Sequence, residues 1–250
     1  LRLSYFPLTW KFSIVILIHK PHKPKNLTSS YKPISLLPTL GKIFEKIILK
    51  RIRPIIKSQN IIPHSQFGFR TSHSTIHQIH RLTDKIASSF ENKKYCPGVF
   101  LDVAQAFDRV WHDGLLYKLK KFLPAPYYLL IRSYLQNRTF SVRQGTSTSL
   151  YFPIFAGVPQ GSDLSPDLFN IYTSDFPTTN NTTIATYADD TAILTSDTDP
   201  EIAFSALQNH LDLISIWATT WRVKINPEKS FHVPFTLRKK KLPTPSTTRC

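Results

Sequence analysis

The sequence predicts an α+β fold. Apolar residues recur at helical spacing in several long segments, and short β-branched and aromatic runs lie between them. Two of those runs flank an Asp-Asp turn in the manner of an antiparallel hairpin. At 250 residues, 41% of them hydrophobic, the chain can bury a sizeable core as one large domain or two small ones.

Residues Trp10 to His19 are rich in β-branched and aromatic side chains and predict a strand, followed by a basic Pro/Lys loop. Gly41 to Gln59 carries Ile43, Phe44, Ile47, Ile48 and Ile52 at helical spacing, and Ser74 to Phe90 repeats the pattern with Ile76, Ile79, Leu82, Ile86 and Phe90. Gly98 to Val103 predicts a short buried strand that ends in one acid. Helices are expected over Gly114–Leu123 and Tyr127–Leu135, with Pro124 and Pro126 as punctuation, then strands over Phe140–Arg143 and Leu150–Phe155. The Pro/Gly turn GVPQGSDLSP leads into a helix near Asp167–Asp175. Thr183–Ala188 and Thr191–Thr195 form the arms of the hairpin. Glu201–Trp217 is strongly periodic, Arg222–Ile225 and Phe231–Phe235 predict two further strands, and a basic Pro/Thr-rich tail runs from Arg238.

Charge narrows the partners. Lys+Arg number 32 against 16 Asp+Glu, a net charge of +16 that calls for a polyanion. Nucleic acid fits better than a membrane, because the longest apolar run, Phe12 to Ile18, is far short of the ~20 residues of a spanning helix. No signal peptide is expected, since Lys and Pro residues follow that run in place of a cleavage site. Cys96 and Cys250 are the only cysteines, too few for a disulfide framework or zinc finger. The chain has no Met and begins with Leu1, which suggests an internal piece of a longer reading frame.

Asp102, Asp189 and Asp190 are the candidate chemistry. An Asp-Asp pair in a turn is commonly structural. If the strand ending at Asp102 neighbours the hairpin, however, three carboxylates converge at one sheet edge with little positive charge near them in sequence. Mg²⁺ takes one or two carboxylates and completes its shell with substrate phosphates. Two such ions ~3.5–4 Å apart can serve an in-line displacement at phosphorus.

The segments YKPISLLPTLGKIFEKII, QFGFRTSHST, VFLDVAQAFDRVWHDGLLYKL, AGVPQGSDLSP, YADDTAIL and WRVKINPEKS occur in order across nearly the whole chain. They resemble the successive motifs of reverse transcriptases of non-LTR, jockey-like retrotransposons. The resemblance implies a right-hand polymerase with fingers over residues 1–96, a palm over 97–237 holding a fingers insertion, a truncated tail over 238–250 and no visible thumb. It implies an antiparallel palm sheet packed on helices, RNA template, DNA primer and dNTP as partners, and two Mg²⁺ ions, with Mn²⁺ as a substitute. A nuclear or cytoplasmic location goes with it. Asp102, Asp189 and Asp190 would hold the metal; Phe107 would act as a steric gate against a 2′-hydroxyl; Gln160 and Gly161 would line the nucleotide pocket. Lys20, Lys32 and Arg70 would meet the triphosphate or template, and Lys229 would protonate pyrophosphate.

Some residues depart from the family's pattern. Lys32 stands where Arg is usual, Gln105 where Lys is usual, and Asp163 brings a negative charge to a position normally apolar or small. They keep a second reading open, an inactive, truncated remnant that binds nucleic acid. His73, His77, His80 and Asp84 fall on one helical face, but the resemblance places that helix in the fingers without metal.

Overall fold

A computed structural model describes residues 3–238, so the Pro/Thr-rich tail expected from Arg238 and Cys250 lie outside the described residues apart from Arg238 itself. In chain order the strands and α-helices are β1 (Phe12–His19), β2 (Tyr31–Leu36), α1 (Thr39–Ser58), α2 (Thr75–Glu91), β3 (Cys96–Leu101), α3 (His112–Lys120), α4 (Ala125–Leu135), β4 (Arg138–Gln144), β5 (Ser147–Thr148), β6 (Phe152–Ile154), α5 (Ser165–Tyr172), β7 (Thr182–Tyr187), β8 (Asp190–Thr195), α6 (Pro200–Thr220) and β9 (Phe231–Phe235). The described residues form two compact units, 3–62 with 107–172, and 63–106 with 173–238.

The first unit holds a mixed sheet. β2 pairs antiparallel with β1, and β4 pairs antiparallel with β5 and β6. β1 and β4 run parallel, the one parallel pair among the described strands. Distance along the chain accounts for this, because a parallel partner needs a long crossover and three helices lie between β1 and β4 in the same unit. The apolar run Phe12–Ile18 is thus a strand, and among the described residues no helix is long and apolar enough to cross a membrane.

The second unit holds a four-stranded antiparallel sheet in the order β7-β8-β3-β9. Strand alternation sends Val99 and Leu101 to one face, where with Ile193 they meet Leu207, Leu211 and Ile214 of α6. Each such side chain contributes about 1.5–3 kcal/mol by leaving water. The opposite face carries Phe100 and Asp102.

Several expected elements change. Arg222–Ile225 is not a strand: Ile225 makes only an isolated bridge to Val103, and Arg222 turns the chain with φ +54°. Leu150–Phe155 contracts to β6, and the helix expected at 167–175 runs Ser165–Tyr172. α2 forms where its periodicity says, yet its apolar stripe is half-buried only from Leu82 onward. Ile76 and Ile79 are 63% and 59% exposed, while Gln78 and Ser89 are buried. Two backbone carbonyls need donors there, and the Gln78 amide nitrogen donates to both Ser65 O and Thr186 O at 2.8 Å.

Candidate active site

The acidic residues meet within the second unit. Pairing of Tyr187 with Asp190 leaves Ala188 and Asp189 as the two turn residues of the hairpin. Pairing of Leu101 with Thr191 brings the next residues, Asp102 and Asp190, to facing positions just past the end of the ladder. Both line one cavity of about 340 Å³, together with Lys229 and the apolar Phe100, Ala192 and Phe231. Burial raises the pKa of the Asp190 carboxyl; the charges of Asp189 and Asp102 raise it further, and Lys229 opposes them.

Asp102 is held by the turn before β9. Its backbone carbonyl accepts from Asn226 N at 2.8 Å, and its N–H donates to Ser230 Oγ at 3.2 Å. Asn226 Nδ2 donates to Asp102 Oδ2 at 3.3 Å, and Lys229 Nζ stands 3.5 Å from the same oxygen. The sequence marks Lys229 as a candidate. It does not mark Asn226 and Ser230, although the NPEKS segment contains them, because nothing in their spacing points at Asp102.

The turn of the hairpin is clasped from the side. Gln66 is buried; its Oε1 accepts from Ala188 N at 2.9 Å and Gly68 N at 2.7 Å, while its Nε2 donates to Ala188 O at 3.1 Å. Phe67 N donates to Thr186 O at 2.9 Å, and Thr186 N donates to Ser65 O at 3.0 Å. Arg70 Nη1 donates to the carbonyls of Pro63 and Gln66, so part of its guanidinium closes this same loop.

The other candidates lie in the first unit. Phe107 stacks on Phe169 at 4.9 Å between ring centroids, and its carbonyl accepts from Val158 N at 2.8 Å. That bond lays the VPQG turn beside it. Gln160 Nε2 donates to both carboxylate oxygens of Asp108 at 3.0 and 3.1 Å, and its carbonyl accepts from Ser35 N of β2 at 2.8 Å. Gly161 has φ +124°, and a Cβ there would stand 2.5 Å from Ser35 O, so only glycine fits. Ser162 Oγ and Asp163 N both donate to the buried carboxylate of Glu45 at 2.8 Å. The unusual Asp163 charge is answered by Arg53, whose guanidinium it stabilises along with Asp167. Lys20 Nζ donates to Ser29 O at 2.9 Å, and Lys32 is exposed on β2 opposite Ile18.

Hard carboxylate oxygens and an excess of like charge suit a divalent cation of the magnesium type. Among the described residues no group of three His, Cys, Asp or Glu side chains stands ready to cage a metal. Such a cage is not what Mg²⁺ needs, because it keeps most of its shell for water and phosphate. Asp102 and Asp190 face each other in the cavity, with Asp189 beside them on the turn.

An antiparallel sheet backed by a helix, with acids at the hairpin turn and the end of the adjoining strand, has the arrangement that nucleotidyl-transfer polymerases use. The match to the family described as "Reverse transcriptase (RNA-dependent DNA polymerase)" covers residues 18–241, and the chain belongs to that family. It is 47% identical over 246 residues to the RNA-directed DNA polymerase from mobile element jockey of Drosophila melanogaster, covering 95% of this chain and 27% of that protein. To the probable RNA-directed DNA polymerase from transposon BS of the same fly it is 46% identical, with the same coverage. The chain thus spans about a quarter of the length of the curated relatives it matches. Among solved structures, telomerase from Candida Tropicalis in complex with a TWJ fragment of telomeric RNA matches with TM-score 0.63 and 14% identity, over 92% of this chain and 42% of that one. The apo telomerase truncated from its C-terminal domain gives TM-score 0.59 at 14% identity, over 90% and 50%. The shared feature is the polymerase fold.

Proposed function

We propose that this chain is the catalytic core of an RNA-directed DNA polymerase of a jockey-like retrotransposon, adding dNTP to a primer 3′-hydroxyl on an RNA template. The facing positions of Asp102 and Asp190 in one cavity, with Asp189 on the adjoining turn, carry the reading. Asp102 and Asp189 would hold two Mg²⁺ ions, with Asp190 completing the set and Mn²⁺ as a substitute. Bound there, the ions would supply charge stabilisation for transfer at the α-phosphorus.

The protein's own part is positioning. The Asn226–Ser230 turn fixes Asp102 through backbone and side-chain bonds. Lys229, beside Asp102, would give a proton to the departing pyrophosphate. Phe107 would reject a 2′-hydroxyl at the sugar; Gln160 and Gly161 would line the base-pair pocket; Lys20, Lys32 and Arg70 would meet phosphates. The motif order supports fingers over residues 1–96 and palm over 97–237, with the returning segment after Trp111 as the fingers insertion.

Primer extension on an RNA template with dNTP tests this. Extension should require Mg²⁺ or Mn²⁺, and Asp189→Ala should lose on the order of 10³-fold, since metal charge stabilisation is worth several kcal/mol. RNA binding with no extension at any metal concentration would instead support the binding remnant.

A further inference from the structure

We infer that Gln66 is a positioning residue for the acidic turn: its one amide fixes the backbone of Ala188 and, through it, the direction of Asp189 and Asp190. The inference rests on the reading that these acids act together. The turn itself is anomalous. Ala188 has φ +57°, whereas Asp189 is not among the residues with positive φ. Positive φ at the first of two hairpin-turn residues alone is the type II′ pattern, a position that glycine normally fills. An alanine there is disfavoured unless its surroundings hold it.

Gln66 supplies the hold. Its amide engages both polar groups of Ala188, accepting from the N–H and donating to the carbonyl, as a paired strand would. The two bonds fix both peptide planes that flank this residue, so the chain enters Asp189 in one direction. The remaining acceptor capacity of Gln66 Oε1 is taken by Gly68 N at 2.7 Å, which stops the side chain from swinging away. Burial makes the arrangement stiff, because breaking it leaves polar groups without water. The clasp touches none of the three carboxylates and acts only through backbone.

The test uses the 250-residue chain and two readouts besides activity. Amide exchange by mass spectrometry should show Gln66→Leu exchanging faster in a peptide spanning Tyr187 to Thr191, by about tenfold for each bond lost. β3 and β9 should keep their parent rates. Mn²⁺ binding followed by electron paramagnetic resonance should weaken about tenfold or more, as when a ligand's supporting partner is removed. Gln66→Asn, one methylene too short to reach Ala188, should behave alike if the leucine variant does not fold. Unchanged exchange in the turn overturns the inference, and so does acceleration spread evenly over the whole sheet. If Asp189→Ala leaves Mn²⁺ binding intact, the metal reading fails, while the exchange result still decides the role of Gln66.

Discussion

Gly68 sets how closely the clasp approaches the turn. A Cβ at this position would lie 2.1 Å from Ala188 N and 2.8 Å from Ala188 Cα, both backbone atoms that cannot rotate aside. Gly68→Ala must therefore displace the turn by roughly an ångström. Displacements of that size cost about 10²-fold in rates that depend on alignment. Primer extension by the alanine variant should fall by about that factor with template affinity unchanged. Equal rates for parent and variant would show that the turn has room this geometry denies. Lys229 presents a softer contact. Its side chain is 66% exposed, so its 3.5 Å pairing with Asp102 is a solvent-screened interaction that a divalent ion can displace.

At the scale of elements, legibility followed periodicity. The hairpin arms and α6 were readable because each has one buried side and its apolar residues mark it: Ile193 meets Leu207, Leu211 and Ile214. β2 was not readable as a strand, because Pro33 and Lys32 interrupt its apolar pattern and its pairing with β1 is a tertiary fact. The buried side of α2 escaped for the opposite reason, since Gln78 is buried to satisfy carbonyls that no pattern announces. Of the site, Asp102, Asp189 and Asp190 were visible as residue types in an ordered series of motifs. Gln66, Asn226 and Ser230 were not, because the residues they hold, Ala188 for the first and Asp102 for the other two, are far away in sequence.

α6 also carries a buried titratable group. His210 is fully buried, with Nδ1 2.8 Å from Thr182 Oγ1 and Nε2 3.0 Å from Pro177 O. A neutral ring satisfies both, donating from Nε2 and accepting at Nδ1. Burial lowers its pKa, with the Pro177 bond opposing. The unfolded ring titrates near 6.5, so below that pH the unfolded state takes up a proton that the folded state refuses. The contribution of His210 to stability is thus intact above about pH 6.5 and lost as pH falls below it. Urea unfolding at pH 7.5, 6.5 and 5.5 should show the parent losing stability more steeply than His210→Gln. The difference should be at most about 1.4 kcal/mol per pH unit. His112 and His232, whose pKa values burial also lowers, are common to both proteins and cancel. Parallel pH profiles would remove His210 as a source of acid sensitivity.

For the whole molecule, the governing quantity is charge. A net +16 acts on any polyanion, and the relevant question is where its counterions are released. α1 gives one answer. Lys46, Lys50 and Lys57 are exposed and fall at i, i+4 and i+11, which places them on one helical stripe. Arg53 shares the stripe but spends its guanidinium on Asp167 at 2.9 Å. The three lysines are thus exposed cations of this face, open to phosphate. Each phosphate neutralised on a single strand steepens the dependence of log K on log salt by about 0.7. Replacing all three by Gln should therefore make the slope for single-stranded RNA shallower by about 2, measured by fluorescence anisotropy at several salt concentrations. Melting temperature should stay near that of the parent, because exposed lysines pack little. A slope unchanged by the triple substitution would move the template path off α1 and assign the excess charge to other faces of the chain.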